Sequence, residues 1–278
     1  MHEVVFHLMK SADLEVVWQI LERRGCQLLY SVQENDDQQI VGYLPQEVNV
    51  DTILQEYNFV RAITFAPLLT IDWEAQWAEH GLGYRDGYLH VDLRDYVPEI
   101  SQQRWPHLLK LKPGPGFGDL SHVTTRLVLK LMSKYVAKQY VLDVGCGSGV
   151  LSLAALGMGA TAVCGIDIDE QALEHATLNG RLNEMQELLT FVLPKECKYW
   201  LSPHEPLVAL MNMIQTEQTQ AWKSLGSIQQ RVAWIITSGV LQEEREEYLR
   251  RCKRWGWHLI EEKEESGWLG FVFKMARK

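Results

Sequence analysis

The 278-residue sequence has few of the features that mark membrane, secreted or disulfide-stabilised proteins. Its five cysteines are scattered and form no CxxC pair, which argues against a disulfide framework or a zinc site and predicts buried, reduced thiols. No apolar run approaches the roughly 18 residues of a membrane span. The first residues have neither the basic start nor the apolar stretch of a signal peptide. We therefore expect a cytosolic protein that contacts no membrane and holds no metal.

Basic residues are also in deficit, because 27 Lys and Arg face 36 Asp and Glu and the net charge is −9. Proteins that clamp nucleic acid through its phosphates are usually basic, so direct nucleic-acid binding is not expected. A small-molecule substrate or a basic protein suits this charge better. Residues 1–60 carry ten acids against three bases, which indicates either a solvated surface or a face for a basic partner.

Residues 1–66 predict a small ferredoxin-like α+β domain with the element order β-α-β-β-α-β. The predicted elements are strands at 4–9, 28–32, 39–44 and 60–65, and helices at 14–24 and 50–57. Residues 67–112 are expected to form a linker and β-hairpin region with a strand at 88–93. In that region Trp73 and Trp77 share one face of a short helix, where they either pack between domains or form a substrate cage.

Residues 113–278 alternate between helical and strand patterns, which predicts a mostly parallel sheet with helices on both faces. The predicted strands are 140–144, 162–166, 188–193, 207–211 and 232–237, and the predicted helices are 124–135, 150–156, 170–182, 217–225 and 242–255. The last two strands, 257–262 and 268–275, are joined by a link too short for a parallel crossover, so they form an antiparallel edge hairpin. This α/β arrangement is typical of class I methyltransferases, which have a Rossmann-like seven-stranded sheet.

A glycine-rich turn, Asp143-Val144-Gly145-Cys146-Gly147-Ser148-Gly149, follows an apolar strand and opens a helix. Glycines there permit positive φ and a close approach to a ligand, and the helix start adds free N–H groups. A dinucleotide fingerprint needs a third glycine at position 150, where Val150 stands, and no G-K-[ST] motif follows. The pattern favours S-adenosylmethionine, whose positive charge suits the carboxylate of Asp143. Cys146 is interpreted as a small buried residue.

A second carboxylate supports this interpretation. Asp167 ends the next strand, 22 residues after Gly145, where it can accept hydrogen bonds from both ribose hydroxyls of the adenosine. The alternative role is that of N-cap for the helix that begins near Glu170, although Asp169 fits this role better.

The chain resembles the PrmA family, bacterial methyltransferases of the eleventh protein of the large ribosomal subunit. Residues 113–125 read P-G-P-G-F-G-D-L-S-H-V-T-T and resemble the family's P-G-x-A-F-G-T-G-x-H-x-T-T without gaps. Further matches, which extend the resemblance over essentially the whole chain, are Asp72-Trp73 with Trp77, residues 141–149, residues 165–169 and Ser238-Gly239-Val240-Leu241. The chain departs from the pattern at Gly116, Asp119, Leu120, Val123 and Met211-Asn212-Met213.

The resemblance assigns roles to individual residues. Cofactor-binding residues would be Phe117, Gly118, Thr124 or Thr125, Asp143, Gly145, Gly147, Gly149, Asp167 and Asn212. Asn212 falls where the family has A-N-I-L, and its side-chain carbonyl could orient a substrate amine. His122 is the nearest candidate for a general base by sequence, although a loop histidine more often orders the turn.

The function implied is an S-adenosylmethionine-dependent protein N-methyltransferase that acts on lysine or N-terminal amines of a basic large-subunit ribosomal protein. The small amino-terminal domain would recognise that protein, and we expect the enzyme to be a monomer. Two alternatives stay open: a class I methyltransferase of another protein or of a small-molecule amine, and a non-catalytic module that binds the cofactor.

Overall fold

The computed structural model describes residues 2–23, 26–34, 37–44, 53, 57, 59–66, 72–80, 82–97, 107–118, 120–197 and 206–276. The chain divides into two compact units, Met1–Ile71 and Asp72–Lys278. All five cysteines are free and buried, as the sequence predicts. Among the described residues, no helix is long and apolar enough to cross a bilayer.

The first unit is an antiparallel four-stranded sheet with a helix. Its elements are β1 (His2–Leu8), α1 (Leu14–Arg23), β2 (Gln27–Glu34), β3 (Asp37–Leu44) and β4 (Val60–Ala66). The strand order β2-β3-β1-β4 is that of a ferredoxin-like domain. Val17 and Leu21, one helical turn apart, pack on Phe6 and Ile40 of the sheet. The helix predicted at 50–57 falls almost entirely outside the described residues.

The second unit begins with α2 (Trp73–His80) and a small antiparallel sheet of β5 (Tyr84–Arg85), β6 (Tyr88–Asp92) and β7 (Leu108–Leu111). The sequence patterns predict only the middle strand, because β5 has two residues and β7 has four. Trp77 is 3% exposed and belongs to the main core of this unit. The side chain therefore packs within this unit, and the role of Trp73 and Trp77 between domains or toward a substrate stays a prediction.

The main sheet has seven strands in the order β10-β9-β8-β11-β12-β14-β13. They are β8 (Tyr140–Val144), β9 (Ala162–Ile166), β10 (Leu189–Val192), β11 (Leu207–Asn212), β12 (Val232–Leu241), β13 (Trp257–Glu265) and β14 (Trp268–Met275). All neighbours are parallel except β14, which runs antiparallel to both β12 and β13. The predicted edge hairpin is therefore confirmed.

Helices cover both faces of this sheet: α3 (Val123–Met132), α4 (Val150–Gly157), α5 (Glu170–Leu182), α6 (Gln215–Ser224) and α7 (Arg245–Arg254). Strand residues alternate between two apolar cores, as the two-residue period of a strand requires. On β11, Val208 and Leu210 join the core that contains α3 and α4 residues. Leu207 and Ala209 join the core that contains residues of α6 and α7.

Several predicted boundaries are wrong by up to three residues, for example the helix predicted at 124–135, which ends at Met132, and two differ more. Strand β12 continues to Leu241 instead of ending at residue 237, through a register shift at Gly239, whose φ is +93°. The helix predicted at 242–255 is a 3₁₀ turn, Gln242–Glu244, followed by α7. Because β8, β9, β11 and β12 are parallel, their carboxyl ends meet at one edge of the sheet, where α/β proteins bind their ligands.

Candidate functional site

The glycine turn joins β8 to α4 at this edge. Gly145, Gly147 and Gly149 have φ values of +72°, +53° and +79°, in the left-handed region that favours glycine. The N–H groups of Gly145 and Cys146 both donate to the carbonyl oxygen of Ile166, at 2.8 and 3.1 Å. These two bonds fix the turn against the end of β9.

Asp167 follows Ile166 and is held against the same turn. Its Oδ2 accepts from the Gly147 N–H at 3.0 Å, and its Oδ1 accepts from the Asp169 N–H at 3.1 Å. Asp169, in turn, is the N-cap of α5 and accepts from the Gln171 N–H at 2.9 Å. The capping role therefore belongs to Asp169. Asp167 presents a fixed carboxylate, and each of its oxygens has a second lone pair for a ligand hydroxyl.

The loop at residues 113–118 lies in direct backbone contact with the glycine turn. The Ser148 N–H donates to the Phe117 carbonyl oxygen at 2.8 Å. A Cβ on Gly147 would lie 2.5 Å from that oxygen, and a Cβ on Gly116 would lie 2.5 Å from the Ser148 nitrogen. Glycine at both positions is therefore required by the contact. The Phe117 side chain remains 54% exposed beside the turn.

Asp143 is fully buried at the end of β8. Its Oδ2 accepts from the Ser152 hydroxyl of α4 at 2.6 Å, whereas its Oδ1 has no partner among the described residues. Burial raises the pKa of this carboxyl to about 7, with a further contribution from the negative charge of Asp167. The predicted contact between Asp143 and a cationic cofactor stays a prediction.

His122 caps the start of α3. Its Nδ1 lies 2.7 Å from the Thr124 hydroxyl and accepts from the Thr124 N–H at 3.4 Å. Its ring makes edge contacts with Phe117 and Trp268, at centroid distances of 5.7 and 5.0 Å. These contacts favour the alternative in which His122 orders the loop; its role as a general base stays a prediction.

Asn212 ends β11 and is joined to the start of α3. Its amide Nδ2 donates to the hydroxyl of the fully buried Thr125 at 3.2 Å. The next residue, Met213, covers the glycine turn, because a Cβ on Gly145 would lie 2.4 Å from its methyl carbon. The structure thus brings the predicted residues of the loop, the turn, β11 and α3 to one edge of the sheet. Asp143, by contrast, is enclosed behind them.

Buried amide side chains that the sequence analysis does not single out hold this arrangement. Gln218 on α6 donates to the carbonyl oxygens of Met213 and Ser238 at 2.8 and 2.9 Å, and its own oxygen accepts from the Tyr248 hydroxyl at 2.6 Å. The bonds tie the segment after Asn212 to β12 just before its register shift at Gly239. Only its hydrogen-bond partners reveal the structural role of Gln218, because a glutamine in a helix is usually exposed.

A second group, Asn179 on α5 and Asn183 directly after its last residue, has four-residue spacing. Asn179 accepts from the Lys112 N–H at 2.8 Å and donates to the Ser148 carbonyl at 2.9 Å. Asn183 bonds both backbone groups of Lys110, at 2.9 and 2.6 Å. Two asparagines four residues apart lie on one face of a helix. This spacing is the signal in the sequence that could have identified them.

Ile168 is a further residue that the sequence analysis misses. It directly follows Asp167 and is 86% exposed, the most exposed large apolar side chain among the described residues. Leu120, where the PrmA pattern has glycine, is buried with a φ of +65°. The left-handed backbone suited to glycine is thus retained, at a cost of about 1–2 kcal/mol for leucine. Asp119 lies outside the described residues.

The strand order, the glycine turn after β8 and the acid after β9 define a Rossmann-like α/β protein of the class I methyltransferase fold. A sequence model of the family described as ribosomal protein L11 methyltransferase (PrmA) matches residues 8–276. The chain belongs to this family.

Similar proteins carry the same description. A ribosomal protein L11 methyltransferase of Thermotoga petrophila is 31% identical over 171 residues, 61% of this chain and 63% of the relative. One from Staphylococcus aureus is 29% identical over 204 residues, 72% of this chain and 64% of the relative. The match therefore spans less than two thirds of the length of these relatives.

A solved ribosomal protein L11 methylase of Lactobacillus delbrueckii subsp. bulgaricus has a TM-score of 0.49 at 22% identity. It covers 60% of this chain and 84% of its own.

Proposed function

We propose that this chain is an S-adenosylmethionine-dependent N-methyltransferase. The observation that carries the proposal is the direct contact of the loop at 113–118 with the glycine turn, with the fixed carboxylate of Asp167 beside them. Two exposed apolar side chains, Phe117 and Ile168, stand next to these polar groups. Ribose hydroxyls, a flat base and an amino acid moiety fit this combination, whereas the turn lacks the third glycine of a pyrophosphate site.

Each residue would have a definite task toward the cofactor. Asp167 would accept the ribose hydroxyls, and Ile168 and Phe117 would exclude water from the adenosine and the methionine chain. Thr124 and Thr125, both buried at the start of α3, would bind the methionine moiety. When bound, the cofactor supplies a methyl group activated by the positive charge of its sulfonium.

Asn212 would bind the substrate amine. Its amide nitrogen is committed to Thr125, which leaves the carbonyl oxygen to accept a hydrogen bond from a substrate amine. The amine must be neutral to attack, whereas a free lysine has a pKa of about 10.4. Removal from water beside a cation lowers that pKa. Positioning can then supply as much as ~7–11 kcal/mol of the barrier reduction.

For the substrate, we propose a lysine or N-terminal amine of a basic ribosomal protein of the large subunit. The curated relatives are described as ribosomal protein L11 methyltransferases, and the net charge of −9 suits a basic partner. The test is transfer of radiolabelled methyl groups into ribosomal proteins from cells that lack this activity, followed by mapping of the modified residue. Transfer only to other proteins or to small amines would refute the proposed substrate. Absence of cofactor binding would refute the proposed methyltransferase activity.

Asp167→Asn is expected to raise the dissociation constant for S-adenosylmethionine about tenfold to a hundredfold. The variant loses the charge in bonds to the ribose, and a hydrogen bond to a charged group contributes about 1.5–3 kcal/mol. Asp95→Asn, the same chemical change at an exposed carboxylate of the 3₁₀ turn Leu93–Asp95, is the matched control. Calorimetry measures both. Equal affinities for the two variants would remove Asp167 from the cofactor site.

Cofactor binding at about pH 6 is expected to release a proton from Asp143 if this carboxyl contacts the cation. Burial raises its pKa to about 7, so the free protein holds the proton at pH 6, and a neighbouring positive charge favours ionisation. Calorimetry in two buffers of different ionisation enthalpy counts the protons released. Asp143→Asn should release none, and equal release by both proteins would show that another group titrates.

A further inference from the structure

One buried imidazole holds the loop at residues 112–116. His175 lies on α5 and is 5% exposed. The Gly116 N–H donates to its Nδ1 at 3.1 Å, and its Nε2 lies 2.7 Å from the Lys112 carbonyl oxygen. A carbonyl oxygen can only accept, so Nε2 carries the proton and Nδ1 has none. Both ring nitrogens are therefore hydrogen-bonded to the backbone of one loop. Only the neutral imidazole, with one donor and one acceptor nitrogen, can form both bonds.

The packing around this ring is as specific as its hydrogen bonds. A Cβ on Gly114 would lie 2.6 Å from two atoms of the imidazole. The Trp77 ring also meets the imidazole edge-on, at a centroid distance of 5.9 Å. Burial lowers the pKa of His175, which keeps the ring neutral. The imidazole thus fills a slot between the loop and the start of the second unit.

The same loop touches the glycine turn on its other side, where Gly116 has no room for a Cβ and the Phe117 carbonyl accepts from the Ser148 N–H. Residues 112–116 are therefore fixed by His175 from one direction and by the turn from the other. Nothing in a cofactor-binding turn by itself requires a histidine on α5. The sequence also gives no motif for it, because the nearest recognisable pattern ends at Asp169.

We propose that His175 is a positioning residue of the cofactor site, which keeps the loop docked on the glycine turn so that Phe117 faces the ligand. The proposal deepens the proposed function and rests on it. Without the imidazole, the docked loop becomes one of several conformations. The apparent affinity for the cofactor then falls in proportion to the fraction of molecules whose loop is docked. The rate at saturating cofactor is retained.

The test compares His175→Ala and His175→Asn, with Gln171→Ala, an exposed change on the same helix, as the control. His175→Ala should raise the dissociation constant and the KM for S-adenosylmethionine about tenfold, with kcat at saturation nearly unchanged. The Asn side-chain oxygen can accept from the Gly116 N–H, so His175→Asn should recover part of the affinity. A lost kcat without a change in KM, or wild-type affinity in a folded His175→Ala, would overturn the proposal.

Two measurements on the free protein separate this proposal from the proposed function. Nitrogen-15 NMR of labelled histidine should show His175 with the proton on Nε2, and hydrogen exchange at the Gly116 amide should accelerate in His175→Ala. Unchanged Gly116 protection refutes the positioning role. If the wild-type protein binds no cofactor while Gly116 protection does depend on His175, the proposed function fails and the loop contact stands.

Discussion

Gly147→Ala is expected to weaken S-adenosylmethionine binding about a hundredfold, whereas Gly226→Ala should leave it unchanged. The added methyl group of the first variant would lie 2.5 Å from the Phe117 carbonyl oxygen. That oxygen belongs to backbone already bonded to the Ser148 N–H, so the loop and the turn must separate. Losing one or two hydrogen bonds to charged cofactor groups costs about 3 kcal/mol, which is on the order of a hundredfold in the dissociation constant.

Gly226 is a close control because its φ is also +53° and nothing lies within 4 Å of the added methyl group. Both variants carry the cost of alanine in a left-handed conformation, about 1–2 kcal/mol. Only Gly147→Ala also opens the contact at the site. Thermal unfolding measures the shared cost, and calorimetry measures the affinity. Equal affinities in the two variants would show that the loop contact is not part of the cofactor site.

The architecture of the second unit follows from features that the sequence displays openly. Alternating apolar segments and amphipathic helices predict the parallel strands, and the short link before Trp268 predicts the antiparallel edge. Helix Glu170–Leu182 and strand Tyr140–Val144 agree with prediction to the residue. Such elements are predictable because their hydrophobic period is long and regular.

Short elements and polar contacts are much less visible in a sequence. Strand β7 has four residues, too few for a two-residue period to emerge. Its position depends on Asn183, which bonds both backbone groups of Lys110 from 73 residues away. His175 and Gln218 similarly act on distant backbone atoms. A single sequence contains the residue types but not the partners, so the supporting contacts emerge only with the fold.

The departures from the PrmA pattern illustrate the same limit. Leucine in place of glycine at position 120 suggests a different loop, yet the backbone there keeps a φ of +65° and the side chain is buried. Burying a leucine stabilises a fold by about 1.5–3 kcal/mol, which offsets the cost of the left-handed conformation. The substitution therefore changes the packing of the loop more than its shape.

The stability of the cofactor-free protein is expected to fall between about pH 4 and pH 7 because of one group, Asp143. An ordinary aspartate has a pKa of about 3.9, and burial raises that of Asp143 to about 7. The native state therefore holds this proton more tightly than the unfolded chain. The stabilisation is fully present below pH ~4 and is lost as the pH rises through the folded value, to a total on the order of 4 kcal/mol.

Asp143→Asn removes this titration while keeping the size of the side chain. The free energy of unfolding of the variant, relative to wild type, should rise from about pH 4 to about pH 7 and then level off, and above pH 7 the variant should be the more stable protein. Urea denaturation at several pH values measures both curves. Parallel curves for the two proteins would mean that Asp143 is not the titrating group.

Ser152→Ala tests what sets the pKa of Asp143, because its effect on the pH dependence of stability is opposite to that of Asp143→Asn. The Ser152 hydroxyl donates to the Asp143 carboxyl at 2.6 Å and lowers its pKa, partly countering the effect of burial. Without the hydroxyl, the pKa of Asp143 should rise further, and the loss of stability should extend to higher pH. The pH dependence is thus removed by Asp143→Asn and extended by Ser152→Ala. The cavity left by removing the hydroxyl group would lower the free energy of unfolding by the same amount at every pH. Any pH-dependent difference between the Ser152→Ala and wild-type curves therefore comes from the Asp143 carboxyl.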